Sequence, residues 1–204
     1  MGEQNENLGS REILNFYPED ARRLEHAGSK IYILSGRSIG DFVSKGLKLE
    51  GIAEPELLKL TSIRSQVAID PDNIFIPNSG NKTKEQQVKL ASSYASDLIR
   101  RIKSPFAVDF GSVADWVELS YEHHKATGKW LFDLKTLKGA YFTATNTEDN
   151  LPGGIIREYY VGCPWSNGDI RVTRVLKNQP KAKALCAAVL IKPIGFGRLN
   201  PQNN

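Results

Sequence analysis

Along the first 130 residues, short apolar runs that read as strands are followed by stretches with three- and four-residue spacing. That is the alternation of β and α elements. Segment 18–27 is charged, opens on Pro18 and is followed by Gly28, so it reads as a helix with proline at its first position and glycine past its last turn. Residues 31–34 are β-type. Ser38 and Asp41 have the spacing of a capping box for a helix over 38–45, and Glu54-Pro55 starts another reaching about Arg64. Runs 67–69 and 74–76 flank Asp70-Pro71-Asp72-Asn73, whose Pro and Asx residues favour a turn, so the spacing predicts a hairpin. The clearest helix opens on the Thr83/Gln86 capping box. Val88, Ala91, Tyr94, Ala95, Leu98 and Ile102 recur at helical steps, and Pro105 ends it. Residues 106–110 are the next strand, after which Ser112 and Asp115 cap a helix that stops at Gly128.

Beyond residue 137 the texture changes. Runs 137–145, 155–161, 169–176 and 184–192 are β-type and separated by Gly, Pro and Asn clusters, the pattern of an antiparallel meander of about four strands. The last run is apolar on both parities and fits either a buried central strand or a short helix. The expected fold class is therefore α+β: a β/α-alternating part over 11–130 with three to four helices, then an antiparallel sheet over 137–193. A single domain over 11–204 follows a loose tail at 1–10.

Composition changes this picture little. With 40% hydrophobic and 25% charged residues in 204, the chain is ordinary globular material, which excludes disorder, collagen and coiled coil as the main architecture. The longest uninterrupted apolar stretch, 184–191, is far shorter than the roughly 20 residues of a membrane span, so no membrane partner is expected. Glu3 and Glu6 stand where a secretory signal would carry basic and apolar residues, so cytoplasmic residence is expected, with Cys163 and Cys186 as reduced thiols. No spacing suggests a metal site or a cofactor.

Charge is more informative when divided. Of the net +4, residues 151–204 carry +6, from eight basic residues against Glu158 and Asp169, which leaves −2 for residues 1–150. Arg157, Arg171, Arg174, Lys177, Lys181 and Lys183 interleave with Tyr159, Tyr160 and Trp165. A basic sheet bearing aromatics can hold phosphates by charge while bases stack. Arg37 adds a cation at the strand-to-helix junction 35–38. If its strand and the one ending at 109 are parallel neighbours, both junctions open onto one crevice suited to an anion.

The sharpest local motif is Gly36-Arg37-Ser38-Ile39-Gly40, a G-x-S-x-G between a strand and a helix, the setting of a nucleophile elbow. Asp109 and then His123 or His124 complete the chain order Ser, Asp, His of a serine-dependent hydrolase. Only about thirty ordered residues precede Ser38, which excludes the α/β-hydrolase fold, where the elbow follows several strands. Ser38 paired with Asp41 as a helix cap accounts for the same residues. Helical periodicity turns His124 toward the core, His123 to its boundary, and Glu118 and Glu122 to solvent. The leading expectation is a non-enzymatic binding protein for an anionic ligand or nucleic acid. A small hydrolase using Ser38 and a subunit of a homo-oligomer or structural assembly are the alternatives.

Overall fold

The structure, a computed structural model, describes residues 13–51, 54–132, 142–162, 170–177 and 185–194. Its helices are α1 (Pro18–His26), α2 (Ile39–Ser44), α3 (Pro55–Lys59), α4 (Lys84–Ile102) and α5 (Val113–Thr127). Its strands are β1 (Lys30–Ser35), β2 (Leu49–Glu50), β3 (Arg64–Ile69), β4 (Ala107–Asp109), β5 (Phe142–Leu151), β6 (Ile155–Gly162), β7 (Ile170–Leu176), β8 (Leu185–Cys186) and β9 (Leu190–Lys192). They form a four-stranded sheet, β1-β3-β9-β4, and a five-stranded sheet, β2-β7-β6-β5-β8, in a mixed α+β fold.

Local signals place most of these elements. Ser38, Thr83 and Ser112 each accept a hydrogen bond from the backbone three residues on, and Asp41, Gln86 and Asp115 reciprocate, so all three capping boxes form. Asp70 accepts from the amides of Asp72 and Asn73 at 3.0 and 3.1 Å, which makes the expected turn.

Pairing between elements departs from the sequence reading. The hairpin of 67–69 with 74–76 does not form: β3 pairs with β1 on one side and β9 on the other, and Phe75 bridges Ala188 instead. The helix expected over 54–64 ends at Lys59, because Leu60 is extended and its carbonyl accepts from Ile39 at 3.0 Å. The strands β1 and β4 are not parallel neighbours. Each step across β1-β3-β9-β4 is antiparallel, so β4 runs opposite to β1, with two strands between them. The cause is the length of the connection's helices. At 1.5 Å per residue, α2 and α3 are each about 9 Å or less, too short to carry the chain back along a six-residue strand of about 20 Å. The chain therefore re-enters the sheet where it left, with Arg64 opposite Ser35.

The described part of the apolar run, 185–192, forms no helix and supplies a buried central strand only at its end. Its β8 part lies parallel to β5 in the larger sheet, and its β9 part sits between β3 and β4 in the smaller one. Crossing from one sheet to the other buries it on both parities.

Helix α5 occupies the space between the sheets. Val113, Trp116 and Val117 join Leu34, Val67 and Leu190 of the small sheet and Tyr159, Val161 and Val172 of the large one in a single cluster. Helices α1 and α4 cover the other face of the small sheet, where Leu24, Leu98 and Ile102 pack on Ala68 and Ile191. None of the described helices is long and apolar enough to cross a membrane.

Candidate functional site

Ser38 acts as a cap. Its Oγ donates to Asp41 Oδ2 at 2.8 Å and accepts from the Asp41 amide at 3.1 Å. These bonds from the Ser38 side chain and backbone hold the Asp41 carboxyl below the usual carboxylate range. Asp109 accepts from the Gly111 amide at 2.6 Å and pairs with Lys192. His123 shares a 2.6 Å hydrogen bond with the Tyr32 hydroxyl, and His124 stacks flat on Trp130 at 4.0 Å. No hydrogen bond joins Ser38, Asp109 and either histidine, so the proton-transfer chain of a triad is not assembled.

Arg37 faces inward as well. Its Nη2 lies 2.9 Å from Glu118 Oε1 and 2.6 Å from Glu122 Oε1, its Nε donates to Ser35 Oγ at 2.8 Å, and its guanidinium sits 4.5 Å above the Phe42 ring. Glu118 is fully buried and not solvent-facing. It also accepts from the Ser35 amide at 3.1 Å, from Ser35 Oγ at 2.7 Å and from Ser62 Oγ. Asp115, one turn earlier, accepts from the Ile63 amide at 2.8 Å. A buried carboxylate is tolerated only with this kind of compensation, and the three side chains that supply it come from 35–62, out of reach of helical periodicity. Packing between two sheets also reverses the order expected of the histidines: His123 is buried and His124 is at the boundary.

The basic residues of the large sheet are divided between its faces and mostly neutralised. Register places Arg174 opposite Tyr159, and Arg157 lies opposite Asp149. Arg157 and Arg174 thus share one face, and Arg171, three residues from Arg174, falls on the other. Arg157 grips Asp149 with two hydrogen bonds, one at 2.9 Å, and Arg174 pairs with Glu54. Tyr159 donates to Asp149 at 3.0 Å, and burial, reinforced by that bond, pushes its hydroxyl up to about 12. The bond from Arg157 holds Asp149 below the usual carboxylate range. Lys177 pairs with Glu148 at 3.0 Å. Lys181, Lys183, Trp165 and Cys163 lie outside the described residues; the Cys186 side chain is buried.

Uncompensated positive charge gathers elsewhere. A groove of about 620 Å³ runs between α1 and the end of α4, lined by Glu19, Arg22, Arg23, His26, Ala27, Arg101 and Ile102. Arg23 pairs with Glu19 and donates to the Lys103 carbonyl at 3.0 Å, which ties the two helices together. Among the described residues, Arg22, His26 and Arg101 have no hydrogen-bonded or ion-paired partner, and all three are exposed. Arg23 and Arg101 lie in last helical turns, where cations suit the negative end of the dipole. Arg22 lies before the last turn of α1, so that explanation does not reach it. Sequence reasoning missed this groove because residues 1–150 sum to −2, and only the tertiary contact of α1 with α4 brings its cations together.

Among the described residues, no group of three or more His, Cys, Asp or Glu side chains is placed to hold a metal ion. No protein-family model, curated protein or solved structure matches the chain.

Two outcomes are expected. Ser38→Ala removes a cap and lowers unfolding free energy by about 1 kcal/mol, read as a lower urea midpoint at unchanged slope; a midpoint equal to wild type contradicts the cap assignment. The second concerns His123. Burial and then the charge of Lys30, outweighing Asp72, hold it below its ordinary value. The folded chain thus resists a proton that the unfolded chain takes up. The stability this contributes is complete above about pH 6.5 and is lost as pH falls through the folded value. Denaturation at a series of pH values from 7.5 down to 5 should show a steeper loss in wild type than in His123→Gln, and parallel curves contradict it.

Proposed function

We propose that the protein is a non-enzymatic binding protein for a phosphate-bearing anion, with single-stranded nucleic acid as the partner class to test first. The observation that carries this reading is the groove between α1 and α4, which Arg22, His26 and Arg101 line and where the one acidic lining residue, Glu19, is paired with Arg23. Elsewhere in the described residues, Arg37, Arg157, Arg174 and Lys177 are each held by a carboxylate. A cation already paired must break that pair before it can contact a ligand, and an unpaired one need only release water and counterions. The groove therefore carries the reading better than the basic face of the large sheet. A capping role for Ser38 removes the main support for a hydrolase. In this reading the protein acts in the cytoplasm.

Binding of a labelled single-stranded oligonucleotide, followed by anisotropy from about 50 to 200 mM salt, tests it. Affinity should fall with salt, and exchanging both Arg22 and Arg101 for Gln should lower the slope of log K against log salt by about 1.4, or about 0.7 per lost phosphate contact. Exchanging Arg157 and Arg174 should leave the slope unchanged. Absence of salt-dependent binding, or sensitivity to the sheet pair alone, overturns the assignment to the groove.

A further inference from the structure

We infer that the groove between α1 and α4 takes a single nucleotide-sized phosphomonoester, with the phosphoryl group between the two helices and an apolar or aromatic body on the groove floor. The inference rests on the anion-binding reading and narrows it. A polyanion held by charge alone needs only a ridge of cations. Here the cations rim an open groove of about 620 Å³, a volume in the roughly 300–1,000 Å³ range of small-ligand clefts. Its walls are asymmetric in origin: Arg22 and His26 project from α1, one turn apart, and Arg101 from α4. Guanidinium groups suit a terminal phosphoryl group, because each can donate two parallel hydrogen bonds to its oxygens.

The floor is apolar. Ile102 is buried against Leu24 and Leu98, and the partly buried Ala27, which packs on the same cluster, lines the groove beside it. A ligand that is all phosphate gains nothing from that floor, whereas a planar heterocycle buries area there and can stack on a guanidinium face. Glu19 limits the charge the groove accepts. Arg23 occupies its Oε1, which leaves Oε2 as an acceptor for an amine or hydroxyl donor and as a repulsive wall against a second phosphoryl group. One phosphoryl group, one apolar ring and one hydrogen-bond donor describe a nucleoside monophosphate, free or at the end of a strand.

Calorimetric titration of the full chain with adenosine 5′-monophosphate, adenosine and inorganic phosphate tests this, beside the oligonucleotide. The expected result is binding of the monophosphate at least about tenfold tighter than of either fragment, because charge and floor both contribute. Arg22→Gln with Arg101→Gln should weaken it at least about tenfold. Ala27→Trp fills the floor without touching a charge, and it should abolish monophosphate binding and leave inorganic phosphate binding in place. Thermal melts of each variant at wild-type Tm exclude unfolding as the cause. Inorganic phosphate binding as tightly as the monophosphate overturns the inference. So does oligonucleotide binding that the monophosphate neither matches nor competes with, although in that case the anion-binding reading stands. If no phosphate-bearing probe binds, both fall.

Discussion

A fully buried carboxylate, Glu118, sits near the middle of the helix that separates the two sheets, and much of the arrangement around it follows from the need to compensate its charge. An isolated ionised carboxylate in such a place would cost many kcal/mol, so its oxygens must be met by donors. The donors are Ser35, at the end of β1, Arg37, in the following turn, and Ser62, just before β3. These are the two ends of the connection that leaves and re-enters the small sheet, and the Gly36 amide in turn donates to Ser62 Oγ at 3.1 Å. One helix side chain thereby fixes where α2 and α3 sit and draws the only arginine of the G-x-S-x-G turn inward. Removing Arg37 would leave Glu118 buried with one fewer counter-charge, a loss of about 3 kcal/mol, at the low end for such pairs because the Arg37 side chain is 30% exposed.

The consequence for function is a matter of which charges remain free. Arg37 serves the core, Arg157 and Arg174 serve a cluster with Asp149, Glu54 and Tyr159, and Lys177 serves Glu148. The asymmetry of charge along the chain is real, but the carboxylates that answer the basic strands lie across the sheet on β5 or before α3. On the described part of the large sheet, net charge by segment therefore counts cations that carboxylates already hold. It gives no sign of the groove of Arg22, His26 and Arg101, because Glu19, Asp20 and Glu25 flank Arg22 and His26 in sequence and Arg101 lies far along the chain on α4.

What could be read from the residues was local. Ser38/Asp41, Thr83/Gln86 and Ser112/Asp115 mark helix starts because both partners of a capping box lie within three residues, and Gly128 ends α5 because it is left-handed. What could not be read depends on partners far along the chain. Helix α5 shows little amphipathic contrast because sheets cover it on both sides, so periodicity places Glu118 and the histidine pair on sides that the packing reverses. The split of 185–192 between two sheets leaves no trace in periodicity, since a strand covered on both faces and a segment crossing between sheets are apolar alike. The direction of β4 relative to β1 depends on the antiparallel return of β3, and the end of α3 that precedes it coincides with a tertiary hydrogen bond from the Ile39 amide to the Leu60 carbonyl. The site follows the same rule, because a groove between two helices exists only once they pack.

The most direct test of the central claim is to map the surface that a ligand touches. Backbone amide shifts recorded while a short single-stranded oligonucleotide is titrated into the full chain should change along α1 and the last turns of α4, around Arg22, His26 and Arg101, and remain still at Arg157, Arg174 and Ser38. Changes centred on β6 and β7 or on the turn at Ser38, with α1 and α4 silent, would contradict it.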